Sequence, residues 1–167
     1  MDLLVAFFDL TNYFRQPRGQ SNREISDLMS DYYEFLGDIV DGGGGTIVKF
    51  IGDAALTVFP ENRVDDGVLT LRNIQNQGDK WMKDRGLNCR HIVKAHFGPV
   101  CTGPIGTRSD KRFDLFGETV GIAATLRSNG FAITSQVFRK LSPETRKQFK
   151  KHTPPISYIP VDERHRD

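Results

Sequence analysis

The chain has little of several things whose abundance would decide its class at once. Only two of its 167 residues are cysteine, Cys89 and Cys101. Their spacing suits neither a metal cluster nor a redox pair, and two thiols make no disulfide framework. Neither sign of charge dominates, since 23 Lys and Arg stand against 21 Asp and Glu for a net charge of +2. Nucleic acid and anionic membranes call for clustered charge of one sign, so neither partner is expected. The longest apolar run, Leu3 to Phe8, is far too short to span a bilayer. That run begins almost at Met1, so no signal peptide is expected ahead of it. Internal repeats, low-complexity tracts and interdomain linkers are missing too. What remains is a globular composition, 38% hydrophobic and 26% charged. The expectation is one free-standing cytoplasmic domain over residues 1–167, with no sensor or anchor attached, able to bury roughly two thirds of its unfolded surface.

The periodicities divide this domain into alternating strands and helices. Leu3 to Phe8 suits a buried strand. Ser21 and Glu24 form a capping box ahead of Ile25, Leu28, Met29, Tyr32, Tyr33, Leu36, Ile39 and Val40, whose three- and four-residue steps mark one helix face. Gly42 to Gly45 end that helix. Thr46 to Phe59 reads as strand, tight turn, strand, and a helical pattern from about Val64 to Met82 follows, with Val68, Leu71 and Trp81 as core candidates. Arg90 to His96 and Phe113 to Phe116 read as strands, Val120 to Leu126 as a helix and Phe131 to Thr134 as a strand. Ser135 and Ser142 are expected to cap two short helices, the second opened by Pro143. The basic stretch from Arg146 to Lys151 reads as a solvated helix end. The antiparallel hairpin among alternating elements predicts an α+β sandwich, with helices packed on a mixed or antiparallel sheet.

Two aspartates stand out within this order. Asp9 closes the first apolar run, and turn-prone Thr11 and Asn12 follow it; Asp53 sits at the apex of the hairpin behind Gly52. A carboxylate at a strand end can face a cation bound to phosphate, because magnesium prefers one or two carboxylates plus substrate oxygens. The competing reading is that both are solvated turn residues. The glycines do not make a phosphate loop, because no Gly-Lys-Ser/Thr follows Gly45 and the run ends a helix instead of opening one. Gly98, Gly103 and Gly106 lack the following helix of a dinucleotide fingerprint. They suit a bulge or the close approach of another surface. His96, taken alone, reads as a structural histidine.

Taken in order, these features resemble the catalytic domain of class III adenylate and guanylate cyclases along nearly the whole chain. The resemblance rests on Phe7-Phe8-Asp9-Leu10-Thr11-Asn12-Tyr13, on Lys49 ahead of Gly52-Asp53 with Phe59 beyond, on His96, Gly98, Gly103 and Gly106, and on Asp114, Gly117, Val120, Ala123 and Ala124. It implies a ferredoxin-like βαββαβ sandwich and two such domains paired head to tail as a homodimer with shared active sites. Asp9, Asp53 and the carbonyl of Leu10 would hold two Mg²⁺ or Mn²⁺ ions. The backbone amides of Thr11, Asn12, Tyr13 and Phe14 would hold phosphate. Lys49 and Asp114 of the other subunit would read the base. A lysine donor beside a carboxylate acceptor suits adenine, and cytosine offers a similar edge. The implied reaction turns a nucleoside triphosphate into a 3′,5′-cyclic nucleotide and pyrophosphate by two-metal chemistry.

The resemblance breaks on one helix. The family places asparagine and arginine where this chain has Gly121 and Thr125, one turn apart and so on one face. The family's C-terminal lysine also has no counterpart in Ile156 to Pro160. Losing a preorganised donor costs on the order of 10² to 10³ in rate. Arg112, two residues before Asp114 on the same strand face, is the first candidate to compensate, with Arg108, Lys111 and Arg127 behind it. The chain also resembles divergent stand-alone cyclases of bacterial antiphage systems, which make the cyclic pyrimidine nucleotides cCMP and cUMP. Three alternatives therefore stand: an active cyclase, an inactive cyclase-like domain that binds nucleotide or serves dimerisation, and a related ferredoxin-like binding module.

Overall fold

The computed structural model describes residues 1–15 and 19–164, with Phe14 described through its backbone alone. Its strands are β1 (Asp2–Leu10), β2 (Thr46–Ile51), β3 (Ala54–Pro60), β4 (His91–Pro99), β5 (Cys101–Gly106), β6 (Lys111–Phe116), β7 (Phe131–Ile133), β8 (Phe149–His152) and β9 (Ser157–Pro160). Its helices are α1 (Asn22–Gly42), α2 (Val64–Asp84), α3 (Glu118–Thr125), α4 (Ser135–Lys140) and α5 (Pro143–Arg146). Seven strands form one sheet in the order β2-β3-β1-β4-β7-β9-β8, and β5 and β6 form a separate ribbon. Among the described residues only β4–β7 is a parallel pairing. The first four strands with α1 and α2 make the expected βαββαβ unit, antiparallel throughout.

Alternation along β1 assigns the two faces of the sheet. Leu4, Ala6, Phe8 and Leu10 point to one side and join Tyr32, Leu36 and Val40 of α1 with Val68, Leu71 and Ile74 of α2 in the main core. Leu3 and Val5 point the other way and pack with Leu56, Val58, Val100, Leu115 and Ala123. Asp9 belongs to this second face and is exposed. A lining of apolar neighbours thus gives way to a carboxylate where the strand leaves the core.

Several sequence expectations hold in detail. Ser21 and Glu24 form the capping box reciprocally, and Ser142 caps α5 with Pro143 inside its first turn. Others are corrected. Thr134, not Ser135, is the N-cap of α4, and its hydroxyl meets His96 Nδ1 at 2.8 Å instead of capping the helix. Trp81 is only half-buried, at the rim where it stacks with the Arg85 guanidinium 3.5 Å above its ring. The stretch from Arg146 to Lys151 is not a helix end alone: α5 stops at Arg146, and Phe149 begins the edge strand β8. Phe149 is buried while Lys150 and Lys151 stay exposed, the charged edge that discourages further strand pairing. Gly98 is the close approach that the sequence suggested, because a Cβ there would lie 2.7 Å from the Thr119 hydroxyl of α3.

Candidate active site

The β2–β3 turn positions Asp53. Ile51 pairs with Ala54 across it, and Gly52 adopts φ +65°, a left-handed conformation that costs glycine nothing. Tyr33 of α1 stacks on Phe50 with ring centroids 3.7 Å apart and donates its hydroxyl to the Gly52 carbonyl at 2.5 Å. The turn is therefore pinned from the helix side, and Asp53 is buried to 7% exposure. Asp9 reaches the same place from the end of β1, with Oδ1 accepting the Leu10 N–H at 2.8 Å.

Asp9, Leu10, Thr11, Asn12, Tyr13, Arg15 and Asp53 line one open depression of about 490 Å³. Burial raises the pKa of Asp53 above its ordinary value; its own amide opposes this, the charge of Asp9 and a hydrogen bond between the two side chains raise it further, and the Leu10 amide lowers it. Two carboxyls this close are costly to ionise together unless a cation sits between them. Among the described residues no cluster of three or more His, Cys, Asp or Glu could hold a metal. A pair of hard oxygen donors in an open depression nevertheless fits a magnesium-like ion, which draws its remaining ligands from carbonyls, water and phosphate.

The turn after β1 is more committed than the sequence suggested. The Thr11 N–H donates to the Arg90 carbonyl at 2.9 Å, and its hydroxyl accepts the Arg90 N–H at 3.0 Å. The Thr11 amide is thus taken up by the chain itself, a correction to its expected role. Asn12 adopts φ +57° and its carbonyl accepts the Arg15 N–H at 3.1 Å, which closes the turn over Tyr13 and Phe14. This brings Arg15 to the rim of the depression, a cation that the sequence reading passed over although it lies only one turn beyond Asp9.

Lys49 and Asp114 meet elsewhere. Lys49 Nζ lies 2.6 Å from Asp114 Oδ2, and Asp114 Oδ1 accepts the Leu115 N–H at 2.8 Å. Burial works against the Asp114 carboxylate, but the hydrogen bond from Lys49, the Leu115 amide and the Lys49 charge together lower its pKa. A β-bulge between Ile47 and Lys49 re-aims that lysine, and the Phe116 ring lies beside it at 5.9 Å. Neither residue lines the carboxylate depression. Arg112 does not either: its side chain is exposed and pairs with Asp110 at 3.2 Å. On α3, a Cβ at Gly121 would meet nothing within 4 Å, and the Thr125 hydroxyl turns back to the Gly121 carbonyl at 2.8 Å. His96 is buried on Thr134, and burial lowers its pKa against the charge of Glu118.

This layout of carboxylate turn, lysine–aspartate pair and short helix has a family. The family model described as the adenylate and guanylate cyclase catalytic domain matches residues 2–157. The chain belongs to that family. The cyclase domain is 25% identical over 158 residues to an adenylate cyclase of Anabaena cylindrica, covering 86% of this chain and 32% of that protein's length. Its fold resembles the adenylyl cyclase CyaB of P. aeruginosa, with TM-score 0.80 at 16% identity over 98% of this chain and 95% of that one. It also resembles the non-canonical dimeric guanylyl cyclase domain of the RhoGC fusion protein from the aquatic fungus Blastocladiella emersonii, with TM-score 0.76 at 17% identity over 96% of each chain. Membership supports nucleotide cyclase activity for the cyclase domain and the use of divalent metal that goes with it. No helix among the described residues is long and apolar enough to cross a membrane.

Proposed function

We propose that this domain converts a nucleoside triphosphate to a 3′,5′-cyclic nucleotide and pyrophosphate, in clefts shared by two copies of the chain. The observation that carries this reading is the division of labour within one protomer. Asp9 and Asp53 share one depression, while Lys49 and Asp114 form a separate pair outside it. A partner protomer set against the second sheet face would bring one half-site opposite the other, and an isologous dimer would do so twice. The apolar side chains exposed around the base-reading pair, Ile51, Phe113 and Phe116, favour such a covered surface.

Asp9, Asp53 and the Leu10 carbonyl would hold Mg²⁺ or Mn²⁺, two per cleft, which supply a lowered hydroxyl pKa and neutralisation of the triphosphate. The backbone of Asn12 to Phe14 would cradle phosphate oxygens. Lys49 would donate to the ring nitrogen acceptor of the base and Asp114 would accept from its exocyclic amine. That pattern fits adenine and cytosine alike, so a cyclic pyrimidine product in antiphage signalling remains within the reading. The ribose 3′-hydroxyl attacks the α-phosphorus, its proton leaves to water, and the bond to the β-phosphate oxygen breaks. Asp53→Ala is expected to abolish product formation while light scattering still shows a dimer; product formed by that variant would refute the assignment.

One observation favours the second reading, an inactive domain that binds nucleotide or serves dimerisation. Gly121 has no side chain and the Thr125 hydroxyl is occupied by its own helix, so α3 offers the phosphoryl group no donor. Nucleotide binding with manganese but without turnover is its signature.

A further inference from the structure

Strand β4 carries one charged residue in its interior, and its surroundings do not account for it. Lys94 lies between Val93 and Ala95, both fully buried, on a strand flanked by β1 and β7. It is itself half-buried. The register sets it opposite Phe7 on one side and Ala132 on the other. Among the described residues no carboxylate lies within ion-pair distance of its ammonium, whose polar contact is the Ala124 carbonyl at 3.4 Å. Its stem covers the sheet while the ammonium stays at an exposed position, without a carboxylate beside it among the described residues.

The position of Lys94 supplies a reason. Cross-strand register continues from Lys94 through Phe7 and Leu56 to Lys49, so the two lysines end one row across the second sheet face. Three strand spacings put their backbones about 14 Å apart. Asp9 stands on the same face, one pair further along β1, where it faces Ile92. Across the sheet the strand of Asp9 thus lies between those of the two lysines, and Lys94, at the far end of the row from Lys49, has its ammonium at the last turn of α3 beside Thr125. That turn is where the reaction calls for positive charge and where the helix itself has none.

The geometry points to Lys94 as the cation that binds the phosphate chain of the nucleotide, in place of a donor from α3. The inference rests on the cyclase reading above. It adds a positive charge on a central strand of the sheet, where a preorganised cation can stabilise developing phosphoryl charge. Sequence reasoning about compensation went to Arg112 because it neighbours Asp114. In the sequence Lys94 shows only as the one lysine of a strand whose other polar side chains are His91 and His96.

The bland alternative is that Lys94 caps the negative end of α3, and Lys94→Gln separates the two. Glutamine still donates to the Ala124 carbonyl but carries no charge. Two measurements are made on wild type, Lys94→Gln and Lys94→Arg: calorimetric binding of inorganic triphosphate with Mn²⁺, and kcat/KM for cyclic product formation. Lys94→Gln is expected to bind triphosphate about tenfold more weakly and to lose kcat/KM on the order of 10² to 10³-fold. Lys94→Arg should keep most of both, and Thr125→Arg added to Lys94→Gln should restore part of the rate. Unchanged triphosphate affinity together with unchanged kcat/KM in Lys94→Gln overturns the inference. If wild type cyclises no nucleotide but Lys94→Gln still loses triphosphate affinity, the cyclase reading fails and the phosphate role of Lys94 stands.

Discussion

Equal amounts of Asp9→Ala and Asp114→Ala protein, each inactive alone, should regain activity once their subunits exchange. The two substitutions remove different halves of the proposed cleft, because Asp9 lines the carboxylate depression and Asp114 belongs to the separate pair with Lys49. A mixed dimer carries both lesions in one cleft and neither in the other. Random exchange makes half the dimers mixed, each with one intact cleft of its two, so recovery should approach about a quarter of wild-type activity per protomer. Both variants should remain folded. Asp9 is exposed and its hydrogen bond goes to the adjacent Leu10 amide, so its loss should cost within about 0.5 kcal/mol. The Asp114 side chain is 17% exposed, pairs with Lys49 and accepts the Leu115 N–H, so its loss should cost about 1–3 kcal/mol. The assay is cyclic product formed per protomer against mixing ratio, with exchange verified by native mass spectrometry of differently tagged subunits. Activity that stays at zero in a mixture shown to contain mixed dimers would refute the shared cleft.

Two other outcomes follow from the same geometry. Gly121→Asn combined with Thr125→Arg should raise kcat, on the order of 10²-fold or more, because a side chain at Gly121 meets nothing within 4 Å and Thr125 is exposed; steady-state kinetics showing no gain would mean that α3 does not face the reacting phosphate. The raised pKa of Asp53, set first by burial, favours its protonated form in the fold. Its contribution to the stability of metal-free protein is therefore present below the ordinary carboxylate value and is lost as pH rises through the higher folded value. Metal-free Asp53→Asn should accordingly unfold at a higher temperature than wild type at neutral pH, with the gap closing toward acid, and thermal scans across pH in chelator would reveal a flat difference if the reasoning is wrong.

The halves of the candidate site are legible in the sequence because each is written locally. Asp9 ends an apolar run, Asp53 follows the Gly52 that its turn requires, and both fall where alternation leaves the core. The βαββαβ order was readable for the same reason, since α1 and α2 carry clear helical faces. What escaped was whatever depends on a distant partner. Strand β5 runs through Gly103 and Pro104 and becomes a strand only because β6 pairs with it. Strands β8 and β9 are four residues each, too short to show a period, and they exist as additions to the edge at β7. The Thr11 amide looked free until Arg90 folded alongside it, a contact between residues 79 apart. Arg112 shares a strand face with Asp114, yet it extends along an exposed ribbon to Asp110, because spacing fixes a face but not a reach.

The central claim is that Asp9 and Asp53 support cyclisation of a nucleotide held by Lys49 and Asp114. Its most direct test is incubation of wild type and Asp53→Ala with each of the four ribonucleoside triphosphates and manganese, with every product identified by mass. The account predicts a 3′,5′-cyclic nucleotide from ATP or CTP with wild type and none with Asp53→Ala. No cyclic product from any of the four, or equal product from both proteins, would contradict it.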